Sequence, residues 1–346
     1  MRALPTLWIR PVLTVAVALL AGSLGLAGCG DSSGSGDDPG TRQATLVLDF
    51  VPGPVHAGIF EAVARGYYAE QGIELEIVEP TSTADTLKLI GAGKAAFGIA
   101  DGIDVAVQID AGLAAKGVLA LTQRPLGGLI ALRESGFRSP ADLEGTTVGI
   151  TGVPSDEVVL DTLVSEAGAD PSRVERVTIG FKGIQLLESG KIDAMTGFIP
   201  SDAAQIEVDG FPTTSFALDR YGGPRYPGLV VFSTTELIEA DSALIQDFVN
   251  ATVRGYEDVV ADPQSGLDAL LAENPGISRE FAETSLDAYL PLFVAGAERF
   301  GAFDAAEVED LSTFLVDRGL LTEPIEPDRY ATNRFVEGAD RRRPAG

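Results

Sequence analysis

The chain has 346 residues, 45% hydrophobic and 22% charged, enough apolar material for two domains with their own cores and too much for a wholly disordered chain. Its 51 acidic residues against 25 basic ones give a formal charge of −26, which repels nucleic acid and excludes a nucleic-acid binder. One cysteine, Cys29, and one histidine, His56, leave no raw material for a thiolate metal site, an internal disulfide or a catalytic set built on several histidines. No metal and no cofactor is therefore expected.

Arg2 and Arg10 precede an uncharged stretch from Pro11 to Gly28, densely apolar from Val12 to Leu20, the pattern of a secretory signal. Its length is near the lower limit for a membrane span, but Gly22, Gly25 and Gly28 favour a cleaved segment. The closing Leu26-Ala27-Gly28-Cys29 resembles the bacterial lipobox. The resemblance implies a signal peptide over 1–28, lipidation of Cys29, and a membrane-anchored protein on the extracytoplasmic face. Residues 29–43, rich in Gly, Ser and Asp, read as a flexible linker. Loss of residues 1–28 leaves 51 acidic and 23 basic residues and a charge of −28.

Ala44 to Phe50 reads as a buried strand closed by the turn Val51-Pro52-Gly53-Pro54. His56 to Glu70 follows as a helix with Ile59, Val63 and Tyr67 on one face. A strand at Ile73–Val78, a helix capped near Thr81 to Asp85 and running to Gly91, and a short strand at Phe97-Gly98-Ile99 come next. This alternation predicts a parallel sheet with crossover helices. Gly127–Leu132 is an apolar strand leaving the first unit. A second set then begins: strand Thr147–Ile150, helix Ser155–Gly168, strand Val174–Gly180, helix Gly183–Ser189 and strand Asp193–Phe198. The apolar run Gly228–Ser233 mirrors 127–132. Helices follow at Ser242–Ala261, Gln264–Glu273, Ser278–Leu292 and Ala305–Arg318. The expected architecture is two α/β lobes, lobe 1 from 44–131 and 232–330 and lobe 2 from 132–231, with two hinge crossings. Residues 331–346 read as a tail ending in the solvated Arg341-Arg342-Arg343.

Several segments are specific: Leu48-Asp49-Phe50-Val51-Pro52-Gly53-Pro54-Val55-His56-Ala57-Gly58-Ile59-Phe60, Gly66-Tyr67-Tyr68-Ala69-Glu70-Gln71-Gly72-Ile73, Lys88-Leu89-Ile90-Gly91-Ala92-Gly93-Lys94, and Leu187-Glu188-Ser189-Gly190-Lys191-Ile192-Asp193-Ala194. In order and spacing, from about residue 44 to 262, the chain resembles the family that joins fungal thiamine pyrimidine synthases to bacterial binding proteins for thiamine pyrimidine precursors. Sulfonate, nitrate and taurine binding proteins share the wider pattern. The resemblance implies a two-lobe periplasmic-binding-protein-like fold of type II. It also implies an ABC importer whose permease and ATPase are the partners, and a monomer that carries a heterocyclic ligand. The synthase branch uses its own histidine, a pyridoxal phosphate and a cysteine-rich iron-linked motif. This chain has no cysteine after Cys29, and it has Ala100 and Asp104 where the resemblance places the reactive lysine and histidine. A carrier rather than an enzyme is expected.

Ligands of open α/β sheets lie beyond the carboxyl ends of the strands, which selects four places. Asp49 can accept hydrogen bonds from an aminopyrimidine, with Phe50 as a stacking face and His56 opening the next helix. Asp101 and Asp104 follow the third strand. Thr151, Ser155 and Asp156 form a turn whose N–H groups and hydroxyls suit a formyl, hydroxyl, carboxylate or phosphate oxygen. Phe198 is the fourth, expected to close on the ligand opposite Phe50, and Tyr226 is an additional candidate. Riboflavin, an alkanesulfonate such as taurine, or nitrate are alternative ligands; for the anions, Arg124 and Lys182 are the basic residues near strand ends.

Overall fold

The computed structural model describes residues 41–82, 84–297 and 299–339. The leader, Cys29, most of the linker and Arg341-Arg342-Arg343 lie outside the described residues. Ten strands are described: β1 Arg42–Val47, β2 Ile73–Val78, β3 Phe97–Asp101, β4 Ala115–Ala120, β5 Gly127–Leu132, β6 Thr147–Ile150, β7 Glu175–Thr178, β8 Ala194–Phe198, β9 Thr213–Ala217 and β10 Leu229–Thr234. They form two five-stranded sheets of the same plan, β2-β1-β3-β10-β4 and β7-β6-β8-β5-β9. In each sheet the first three strands are parallel. A strand arriving from the other lobe, β10 or β5, is then inserted antiparallel beside the third.

That exchange corrects one expectation. Gly127–Leu132 does not belong with the first sheet; it pairs with β8 and β9 at the centre of the second. The chain crosses between sheets ahead of each inserted strand, over 121–126 and 218–228. The cause is burial on both faces. Leu129 and Ala131 enter one core cluster while Ile130 and Leu132 enter another, and in β10 Leu229 and Val231 separate in the same way from Val230 and Phe232. A strand apolar on both faces needs cover on both.

The cluster containing Val230 and Phe232 also takes in Leu129, Val148, Leu160 and Leu163, so apolar packing is continuous from one sheet to the other. The crossings are tied together by Arg124, which pairs with Asp219, and by Thr122 Oγ1, which accepts from Leu229 N at 2.9 Å.

Sequence periodicity overlooked β4 and β9, whose short Ala- or Thr-rich runs show little β pattern. The single helix expected over His56–Glu70 is divided. Helix Ala57–Ala64 stops before Gly66, which takes φ of 73°, and Tyr67–Glu70 is a separate turn. Val63 is 38% exposed and does not share the buried face. Residues 331–339, expected as tail, pack on the first lobe: Thr332 N donates to Gly117 O at 2.9 Å, and Phe335 and Val336 are buried. Helix Ser242–Ala261 lies so close to Ala57–Ala64 that a Cβ on Gly255 would stand 2.0 Å from Gly58 O. Neither glycine needs an unusual φ; it is the approach of the two backbones that excludes a side chain.

Candidate functional site

Both sheets present the carboxyl ends of their parallel strands to one cleft of about 710 Å³, within the range of small-molecule sites. Asp49 and Phe50 follow β1, Asp101 ends β3, Thr151 follows β6, Phe181 follows β7 and Phe198 ends β8. Asp49, Phe50, His56, Asp101, Asp104, Thr151, Ser155, Asp156 and Phe198 all line it. Tyr226 does not. It is fully buried in the core cluster that spans the two sheets, where its ring lies against Gly102, because the crossing that carries it is bonded to the end of β3, Gly102 N donating to Gly228 O at 3.1 Å. Arg124 is engaged with Asp219 and, like Lys182, is not in the lining.

Asp49 and His56 form a buried pair. His56 Nδ1 accepts from Gly53 N at 3.2 Å, so the ring hydrogen stands on Nε2, which donates to Asp49 Oδ1 at 2.8 Å. A histidine in this tautomer fixes the carboxylate's orientation and leaves Oδ2 for a further donor. The turn Pro54–His56 that carries the histidine is itself held by Tyr256, whose hydroxyl donates to Val55 O at 2.7 Å.

Asp101 caps its own helix, Gly102–Asp110, accepting from Ile103 N at 2.8 Å. Burial, and then the neighbouring Asp104, push its pKa well up. Asp104 reaches the other lobe. Its two oxygens accept from Ser155 N at 2.9 Å and Ser155 Oγ at 2.8 Å, and burial pushes its pKa up to about 7 against the opposing effect of those two hydrogen bonds. Asp156 accepts from Thr151 N at 2.7 Å, Gly152 N at 3.1 Å and the Thr151 hydroxyl. The donors expected to hold a ligand oxygen at this turn are thus engaged by carboxylates of the chain. Asp202 accepts from Phe198 N at 2.8 Å, and burial again raises its pKa, to about 7.

The aromatic wall opposite Phe50 is Phe181 rather than Phe198: the Phe50 and Phe181 ring centroids are 4.2 Å apart at 64°. Phe198 packs part of its ring against the core of the first lobe. Phe181, Asp202 and Tyr289 were missed by sequence reasoning. The strand-end rule applied to β7 would have found Phe181. Tyr289 comes from helix Arg279–Val294 and donates to Ser201 Oγ of the other lobe at 3.2 Å; no local signal marks it. Among the described residues no lysine or arginine lines the cleft, while six aspartates and two glutamates do.

Two lobes built on the same sheet plan, joined by two crossings and closing on a cleft at the strand ends, define a two-lobe α/β fold of the periplasmic-binding-protein type. The chain belongs to the NMT1/THI5-like family, whose model matches residues 53–266. It is 31% identical to the formylaminopyrimidine-binding protein of Halalkalibacterium halodurans over 89% of this chain and 95% of that one. It is 28% identical to the 4-amino-5-hydroxymethyl-2-methylpyrimidine phosphate synthase of Legionella pneumophila, over 72% of this chain and 80% of that one. In fold it resembles the alkanesulfonate-binding protein SsuA of Xanthomonas axonopodis pv. citri, with a TM-score of 0.68 at 14% identity over 84% of this chain and 98% of that one.

Proposed function

We propose that the chain is the extracytoplasmic solute-binding lipoprotein of an ABC importer, anchored through Cys29, and that it carries an aminopyrimidine precursor of thiamine of the formyl or hydroxymethyl type. The observation that carries this reading is the pairing of an oriented carboxylate with aromatic walls in a cleft lined by no cationic side chain among the described residues. Asp49 Oδ2 accepts from the exocyclic amine, and the edge-to-face pair of Phe50 and Phe181, in contact across the lobes in this structure, parts to take the flat ring against its faces, so that ligand shifts the balance of open and closed lobes. A sulfonate or nitrate needs donors that this lining spends on its own carboxylates. The similarity to the formylaminopyrimidine-binding protein supports the same ligand class.

The synthase alternative meets a chemical obstacle. A pyridoxal aldehyde is held as an imine by an amine, and among the described residues no lysine stands in the lining; position 100 is alanine and position 104 is an aspartate already bonded to Ser155. We read the chain as a carrier that carries out no reaction. Thermal-shift and calorimetric titration with formylaminopyrimidine, hydroxymethyl-aminopyrimidine, riboflavin, taurine and nitrate tests the proposal. A pyrimidine at 100 times its Kd stabilises the protein by about 2.7 kcal/mol. Stabilisation by taurine or nitrate in its place overturns the ligand assignment, and no response to any compound overturns the carrier.

A further inference from the structure

We propose that Asp104 is a specificity determinant that makes the cleft reject phosphorylated ligands, by holding the hydrogen-bond donors of the opposite lobe that a phosphate would require. The proposal rests on the aminopyrimidine reading and adds the class of pyrimidine: the free alcohol or formyl compound and not its phosphate ester.

Protein sites for phosphate combine backbone N–H groups, hydroxyls and cationic side chains. In this cleft the donors converge where β6 passes into helix Pro154–Glu166: Thr151 N, Gly152 N, Ser155 N and the hydroxyls of Thr151 and Ser155. Each of them already donates to a carboxylate of the chain. Asp156 belongs to this helix, and its bonds close a local turn. Asp104 lies 51 residues earlier, on helix Gly102–Asp110 of the other lobe, and local folding gives it no reason to be there.

It takes both Ser155 donors, with Asp104 2% and Ser155 9% exposed, and leaves neither for an anion. Asp101, Asp156 and Asp202 face the same space, with no lysine or arginine in the lining among the described residues. A phosphate dianion entering here must displace one carboxylate and stand beside the others without a counter-charge. A hydroxymethyl or formyl group is neutral and meets no such penalty.

The experiment compares wild type, Asp104→Ser and Asp104→Asn at about pH 8, where a phosphate monoester is a dianion. Calorimetry measures binding of 4-amino-5-hydroxymethyl-2-methylpyrimidine and of its phosphate ester, and thermal shift measures the response to millimolar inorganic phosphate. Wild type should prefer the alcohol by roughly 100-fold or more, as like-charge rejection does, and should not respond to phosphate. Asp104→Ser should narrow the preference at least tenfold and become stabilised by phosphate; Asp104→Asn, which loses the charge but still occupies Ser155, should move the same way by a smaller factor. Wild type binding the ester as well as the alcohol, or both variants keeping the wild-type preference and ignoring phosphate, overturns the proposal. Should no pyrimidine bind any of the three proteins, the aminopyrimidine reading fails, and the phosphate response of the variants decides the role of Asp104 by itself.

Discussion

Asp104 is a buried carboxyl whose proton is held more tightly in the folded chain than in the unfolded one, because burial disfavours the charge. With the folded pKa near 7 and the unfolded one near the ordinary carboxylate value, its contribution to stability is complete below about pH 4 and is lost as pH rises toward 7. Wild type should therefore lose stability relative to Asp104→Asn across that window, by up to about 1.4 kcal/mol per pH unit. Urea unfolding of both proteins at several pH values checks this; a constant difference would sink it. The aromatic pair makes a second residue-scale prediction. Phe181→Ala should weaken pyrimidine binding about tenfold in Kd, near 1.4 kcal/mol, and Phe50→Ala similarly. Phe198→Ala should have the smaller effect, since that ring is partly committed to the core. Calorimetry that ranks Phe198 above Phe181 would reverse the assignment of the wall.

The contact between helices Ala57–Ala64 and Ser242–Ala261 depends on two glycines that face each other. A methyl group on residue 255 would stand 2.0 Å from Gly58 O and 2.8 Å from Ala62 Cβ, so the helices must separate. Gly255→Ala should cost about 2–3 kcal/mol, the upper range for overpacking, seen as a lower urea midpoint. Gly276→Ala, where an added Cβ meets nothing within 4 Å, should change stability little. At this scale much was legible in the sequence. The strands Ile73–Val78 and Thr147–Ile150 and the helix Ser242–Ala261 were read with their observed bounds, because each carries a strong apolar run or periodic face. β4 and β9 were not legible: Ala115–Ala120 has one β-branched residue, and its extended form is imposed by pairing with β10. The lobe assignment of β5 was equally hidden, since an apolar run announces a buried strand without naming its partners.

Across the whole molecule, the excess of acidic residues acts at long range. Exposed ion pairs such as Arg279 with Asp268 gain little each, while the repulsion among unpaired carboxylates accumulates. Salt shortens the Debye length from about 30 Å at 0.01 M to about 3 Å at 1 M. Raising NaCl across that range should raise Tm, by about 1.5 °C for each kcal/mol recovered in a chain of this length. A falling Tm would mean that the ion pairs outweigh the net repulsion.

The sequence by itself determined the inventory: one histidine, no thiol after Cys29, a large acidic excess, and the strand-end positions where a ligand site could form. These follow from composition and from the periodicities of local structure, which depend on near neighbours in the chain. Tertiary structure decided which of those positions meet. It set Phe181 rather than Phe198 against Phe50, buried Tyr226 away from the cleft, brought Tyr289 to Ser201 and laid Asp104 on Ser155 across the lobes. Each of these is a contact between residues far apart in the chain, set by how two sheets pack through a shared core and two crossings, and no local pattern encodes that distance.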